Sequence, residues 1–269
     1  MKSGDYFDDR LAQGVGIRLK SHPFARKKVV DVSSMVCQLS CANGIRHLIR
    51  AKGFILDMDG TIVDTRNIHL QAWMLTGDRF GMTIDRTLEY RTIFGAPSPE
   101  SARRLFPNQI TEANVSTVCV TKNTIYAELL HKNIDGMVVN GFQHFIQSSV
   151  NEGIMIALAT SSPFSEAKFV LERLGVINHF SKIVDAESVS KSKPDPEAYL
   201  TAAFFMGLDP SDCVAFEDSL LGIQSVNGAN MKCAVIGTTL DLPGLLASGL
   251  KFDAFAPDFC HFFFGEYHA

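Results

Sequence analysis

Two aspartates separated by one residue stand in the segment Asp57-Met58-Asp59-Gly60-Thr61. A second acidic pair, Glu217-Asp218, lies far along the chain and is followed by Ser219. Between them fall Thr160-Ser161-Ser162 and Lys193-Pro194-Asp195-Pro196-Glu197. Several carboxylates in one place repel one another unless a cation is present. Hard oxygen ligands with open positions suit magnesium. A lysine and a hydroxyl beside such a metal suit a phosphoryl group. Together these residue types support phosphoryl chemistry, provided the fold makes them meet.

Short apolar runs provide for that meeting. Phe54-Ile55-Leu56 runs into Asp57, and Ile154 to Ala159 runs into Thr160. Lys182-Ile183-Val184 ends near Asp185, Cys213 to Phe216 ends in Glu217-Asp218, and Cys233 to Ile236 ends in Gly237. Runs apolar at every position suit strands covered on both faces, as in a parallel sheet. Helical patterns lie between them. Phe164, Ala167, Val170, Leu171 and Leu174 share one face, Asp195 and Pro196 open a helix to residue 206, and Leu220, Ile223 and Val226 share another face. Strand and helix in alternation predict an α/β fold with a doubly wound parallel sheet. Ligands of such sheets bind at the carboxyl ends of the strands. Asp57, Asp59, Thr160, Glu217 and Asp218 should converge there, and Lys193 can join them.

One stretch breaks the alternation. Residues 66–138 read as helical throughout and separate the first strand from the second. Trp73, Phe80, Leu88, Leu105, Ile125, Leu129 and Leu130 are expected to form a small core of their own. His69 and Trp73 stand four apart on one helix face. They either look into the site or serve as a solvated histidine and a packed tryptophan. Asp64 and Asp185 read as turn or cap residues, and Arg103 and Arg104 as a solvated pair, with the substrate's distal anion as their alternative partner.

Composition bounds the function. The chain has 269 residues, 46% hydrophobic and 20% charged, which argues against global disorder. Its net charge is −4, so no basic excess invites nucleic acid. No apolar run approaches the ~18 residues of a membrane span. The first 52 residues carry ten Lys or Arg against four Asp or Glu. Three of those acids fall in the first ten residues with no apolar run after them, which speaks against a secretory signal. The six cysteines are scattered and read as buried free thiols of a reducing compartment. Cys37 and Cys41 lack the second pair that zinc spacing needs. The protein is expected to be cytoplasmic and monomeric, with organelle targeting by the basic extension left open.

The four segments resemble, in order, the four motifs of the haloacid dehalogenase-like superfamily, over roughly residues 52–258. Asp57 to Thr61 is similar to the first motif, Thr160 to the second, Lys193 to the third, and Glu217-Asp218-Ser219 with Gly222-Ile223 to the fourth. Asp64-Thr65 followed by His69 and Trp73 resembles the beta-phosphoglucomutase-like phosphatase group. The resemblance implies a Rossmann-like core over 52–65 and 139–269, a helical cap over 66–138 and an extension over 1–51. It implies Asp57 as nucleophile and Asp59 as acid and base. Asp57, Asp59 through its backbone carbonyl, and Asp218 would hold Mg2+, with Glu217 supporting. Thr160, Ser161 and Lys193 would bind the phosphoryl group, and His69 would face the substrate.

Mutases of this group carry a cap arginine and a cap lysine. Alignment by the Gly95 turn and by Lys122-Asn123 with Tyr126 places Ser98 and Glu128 at those positions. Both exchanges remove positive charge. The expected function is thus a phosphatase of a small phosphorylated metabolite, a sugar phosphate or nucleotide-like compound. A sugar phosphomutase is the alternative, and a non-catalytic binder of such metabolites the competing class.

Overall fold

The computed structural model describes residues 39–40, 46–47, 49, 51–85, 94–262 and 264. Cys37, Cys41, Leu88 and most of the extension lie outside the described residues. A two-residue pairing, β1 (Leu39–Ser40) with β2 (Arg46–His47), precedes the main sheet.

The main sheet has six parallel strands: β3 (Gly53–Leu56), β4 (Met155–Ala159), β5 (Phe180–Val184), β6 (Cys213–Glu217), β7 (Lys232–Ile236) and β8 (Ala254–Ala256). Their spatial order is β5-β4-β3-β6-β7-β8. The chain winds outward from β3 through β4 and β5, then returns to β6 and winds the other way. The boundary between β3 and β6 is the topological switch point, where such sheets bind ligands. The strand pleat divides the apolar run between two layers. Phe54 and Leu56 join Ile156, Leu158, Val214 and Phe216 on one face, while Ile55 joins Ala157, Ala215 and Val235 on the other. Each of Phe54, Ile55 and Leu56 is fully buried, worth about 1.5–3 kcal/mol apiece. β3 is therefore held firmly, and Asp57 follows it directly.

Helices cover both faces. α4 (Phe142–Asn151) and α5 (Phe164–Arg173) pack Phe142, Phe145, Ile146, Ala167, Val170 and Leu171 on the first. α6 (Glu197–Met206) and α7 (Leu220–Gly228) pack Tyr199, Ala202, Ile223 and Val226 on the second, with Leu245 of α8 (Leu242–Ala247). Phe164 departs from the expected buried stripe. It opens α5 and is 42% exposed. α6 begins at Glu197, with the Asp195 carboxylate accepting from the Glu197 amide at 3.1 Å.

Among its described residues, the insertion between β3 and β4 contains three α-helices rather than one continuous helical stretch. They are α1 (Arg66–Phe80), α2 (Ser98–Leu105) and α3 (Val115–Asn133). Gly81 ends α1 in the left-handed conformation, as a C-cap glycine does. Trp73 and Leu105 form the expected small core with Ala102, Phe106, Val118 and Cys119. Four expected members do not. Leu130 is buried in the main core with Ile125 and Leu129 against it, and Phe80 is 37% exposed. The last turns of α3 thus join the main core rather than the small one. Among the described cysteines, Cys119, Cys213 and Cys233 are buried and free as expected, and Cys260 is free but exposed. No described helix is long and apolar enough to cross a membrane.

Candidate active site

The strand ends bring the predicted residues together. Asp57 extends β3, its amide donating to the Phe216 carbonyl at 3.0 Å. Lys193 Nζ donates to Asp57 Oδ1 and to Glu217 Oε1, both at 2.6 Å. It also donates to the Ala159 carbonyl at 3.1 Å, at the end of β4. Asp57, Lys193, Glu217 and Asp218 are all buried. Asp57, Glu217 and Asp218 each present an oxygen within 4.8 Å of the others. Gly60 permits this crowding. Its φ is +86°, and a Cβ there would stand 1.9 Å from Asp218 Oδ2. Thr160 is buried, and its hydroxyl accepts from the Ser162 amide at 3.0 Å. Ser161 is exposed beside it.

The electrostatics are those of too many acids for the cations in place. Burial pushes the Asp57 carboxyl up to about 7, against the pull of Lys193. Burial, with Glu217 and Asp57 beside it, raises Asp218 well above the carboxylate range. Burial also disfavours charge on Lys193, but Asp57 and Glu217 hold its ammonium well above its ordinary value. Such a set of hard oxygen donors fits a divalent cation such as Mg2+, which would relieve the repulsion.

Asp59 faces the insertion. Its Oδ1 accepts from Thr65 Oγ1 at 2.8 Å and from Tyr126 OH at 2.6 Å, and its Oδ2 from Ser162 Oγ at 2.6 Å. His69 Nε2 lies 3.6 Å from Oδ1. Burial opposes the charge on Asp59, yet His69, Ser162 and Tyr126 hold the carboxyl below its usual range. His69 stacks on Tyr126 with ring centroids 4.1 Å apart, and its Nδ1 is 2.9 Å from Lys122 Nζ. Of the two readings open for His69 and Trp73, the histidine turns toward the site and the tryptophan packs in the small core.

Four residues here lie outside the expected site: Lys122, Tyr126, Glu166 and Tyr199. Lys122 is buried in α3, and burial pulls its ammonium down to about 8. Glu128, the position expected for the cap lysine, is exposed on the same helix. The signal was available, because Lys122 shares its stripe with Val118, Tyr126 and Leu130, all buried. A lysine on an apolar stripe needs a partner. Glu166 is half-buried in the first turn of α5, and burial with Asp59 nearby raises its carboxyl to about 7. Tyr199 is fully buried and hydrogen-bonds both Lys193 and Glu217.

Other candidates fall where expected. Asp64 pairs with Arg66, with Arg66 Nε 2.7 Å from its Oδ1. Asp185 accepts from the Ser188 hydroxyl in a turn. Arg103 pairs with Glu112 at 2.7 Å, and Arg104 with Glu100. Ser98 opens α2 and donates to Asn123 Oδ1 at 3.2 Å.

Residues 54–236 match the family model described as haloacid dehalogenase-like hydrolase. The chain is 32% identical over 191 residues to the beta-phosphoglucomutase of Bacillus subtilis, covering 69% of this chain and 83% of that one. It is 30% identical over 200 residues to hexitol phosphatase A of Escherichia coli, covering 73% of this chain and 88% of that one. A solved beta-phosphoglucomutase from Clostridium difficile superposes with a TM-score of 0.67 at 26% identity, over 78% of this chain and 92% of that one. With six parallel strands in place and the acidic ends of β3 and β6 side by side, the chain belongs to the haloacid dehalogenase-like hydrolase family.

Proposed function

We propose that this protein is a Mg2+-dependent phosphatase of a small phosphorylated sugar, working through an aspartyl-phosphate on Asp57. One observation carries the reading: Asp57 Oδ1 lies 2.6 Å from Lys193 Nζ in a buried cluster with Asp218. A carboxylate so placed is a nucleophile held beside the cation that receives the phosphoryl oxygens. Thr160, Ser161 and Lys193 then bind those oxygens. Asp59, held low in the free protein, takes up a proton as the dianionic phosphoryl group arrives beside it, gives it to the leaving oxygen and later takes one from water, oriented meanwhile by Tyr126, Ser162 and His69. Asp57, Asp218 and the Asp59 backbone carbonyl are the residues that would hold Mg2+, with Glu217 behind them. The ion would neutralise charge on the phosphoryl oxygens. The hexitol phosphatase of Escherichia coli supports the sugar-phosphate class.

The Bacillus beta-phosphoglucomutase favours a mutase as the second reading, and Lys122 supplies one of the two cap cations a mutase carries. The arginine position still holds Ser98, and Arg103 and Arg104 are engaged by Glu112 and Glu100. These observations favour water as the acceptor. The test is free-phosphate release from a panel of phosphorylated sugars and nucleotides, with Mg2+ and with chelator. Release that needs Mg2+ and disappears in Asp57→Asn supports the reading. A wild-type protein that hydrolyses none of the panel, or an Asp57→Asn protein that keeps its rate, overturns it.

A further inference from the structure

Glu217 ends β6 with none of its surface exposed, and five donors surround its two oxygens. Oε1 accepts from Lys193 Nζ at 2.6 Å and from Tyr199 OH at 2.7 Å. Oε2 accepts from the Asp218 amide at 3.0 Å, and from the Ser219 amide and hydroxyl, each at 3.1 Å. A carboxylate offers about four lone-pair sites, so protein donors fill them. Gly222 makes room for this posture, since a Cβ there would stand 1.8 Å from Oε1. Tyr199 grips the lysine as well. Its hydroxyl accepts from Lys193 Nζ at 3.1 Å while donating to Glu217, and its ring lies 4.9 Å from the ammonium. Tyr199 comes from α6, whose packing against the sheet fixes where that hydroxyl stands.

We infer that Glu217 and Tyr199 are positioning residues, a saturated clamp that holds the Lys193 ammonium on Asp57 and keeps Glu217 out of the metal's coordination shell. The kinetic consequence rests on the phosphatase reading; the metal consequence does not. With the Tyr199 hydroxyl present, Glu217 Oε1 is shared between two donors. Without it, Oε1 has only the lysine, and the ammonium shifts toward Glu217 and away from Asp57. The phosphoryl group then meets a displaced cation. The donors left to a cation are Asp57, Asp218 and the Asp59 carbonyl.

The test uses the full chain as wild type, Tyr199→Phe and Glu217→Gln. Mg2+ alone is titrated into substrate-free protein by calorimetry, steady-state kinetics are followed on the best phosphorylated sugar, and melting curves report folding. Tyr199→Phe keeps the ring and removes one oxygen. Its kcat should fall about tenfold with KM within about twofold, a split that general loosening of the fold would not produce. Mg2+ affinity should stay within about threefold of wild type in both variants, as expected when no ligand is lost. An unchanged kcat in Tyr199→Phe overturns the positioning role. A loss of Mg2+ affinity of about tenfold or more in folded Glu217→Gln makes Glu217 a ligand and overturns the clamp. If Glu217→Gln does not fold, the Tyr199→Phe titration decides by the same threshold. A wild type that binds Mg2+ but releases no phosphate sinks the phosphatase reading, and the clamp is then judged on the metal titration.

Discussion

Tyr126 of α3 donates to Asp59 Oδ1 at 2.6 Å, so the inserted helices and the loop after β3 are joined through the carboxylate assigned as acid and base. Thr65 shares the same oxygen and Ser162 holds the other. The side chain that must move a proton is thus oriented by three hydroxyl donors from three separate segments.

This bond carries a pH signature. Asp59 is held below its usual range in the folded chain. A depressed carboxyl contributes stability that is present above the unfolded value, about 3.9, and lost as pH falls through the folded one. Tyr126→Phe removes one donor and brings the folded value closer to the unfolded one. The variant should unfold at higher pH than wild type during acid titration and lose about 1 kcal/mol at neutral pH. Asp57, raised to about 7, has the opposite slope, with stability falling as pH rises from about 4 to 7. That slope is common to both proteins, so the difference between their acid midpoints isolates Asp59. Identical midpoints by circular dichroism would refute the assignment.

Lys122 should trade stability for activity. Burial pulls its ammonium from 10.5 to about 8. A lysine with a lowered folded value pays its burial cost in full below about pH 8, and the cost is relieved as pH rises toward the unfolded value. Lys122→Met keeps the apolar stem under Trp73 and Tyr126 and removes the charge. The variant is expected to be about 1–3 kcal/mol more stable than wild type at pH 7, with the gap closing by pH 10. Its turnover should fall at least about tenfold, because His69 loses the partner that orients it toward Asp59. Paired denaturation curves at the two pH values read the first effect and kcat reads the second. A less stable variant with full activity would make Lys122 an ordinary packing residue.

The contrast between Lys122 and Asp57 explains what the sequence could and could not reveal. Asp57, Thr160 and Glu217 are legible because a parallel strand must deliver whatever follows its last apolar residue to one edge of the sheet. Lys193 is legible only through its motif, since it follows no strand directly. Lys122, Tyr126 and Tyr199 depend on what their helices dock against, which local spacing does not determine. Glu128 lies six positions beyond Lys122, about 240° around the helix, and so points to solvent. Leu130 was assigned to the small core of the insertion but sits in the main one for a related reason. An amphipathic stripe says which face is buried and not against what.

Gly60→Ala tests the crowding at the acidic pair. The new methyl would stand 1.9 Å from Asp218 Oδ2, at a φ of +86° that alanine disfavours. Asp218 would have to leave its place, breaking its contact with the Thr239 hydroxyl. Turnover should fall about a hundredfold or more, and Mg2+ should bind at least about tenfold more weakly. Melting temperature should fall by only a few degrees, because the apolar layers on both faces are untouched. An active variant with normal Mg2+ affinity would mean that Asp218 is not among the cation's donors.

The choice between phosphatase and mutase turns on Ser98. Both reactions would load the same phosphoryl group onto Asp57, and they differ in what takes it next. A phosphatase admits water, with Asp59 as base. A mutase must hold a bisphosphate in the cap while it turns over, which needs a cation able to grip the second phosphate. Ser98, at the start of α2, donates instead to Asn123 of α3, and Arg103 beyond it is turned to Glu112. A charge-assisted contact of this kind is worth about 1.5–3 kcal/mol, roughly ten- to a hundredfold in affinity. Wild type with beta-glucose 1-phosphate and a bisphosphate primer should therefore release free phosphate and make no net glucose 6-phosphate. Ser98→Arg should bind the bisphosphate about tenfold or more tightly and divert part of the flux to glucose 6-phosphate. Both products are followed in the same reaction, so the ratio is independent of enzyme concentration. Fast isomerisation by wild type with little free phosphate would reverse the assignment, and Lys122 would then stand as the cap cation that suffices.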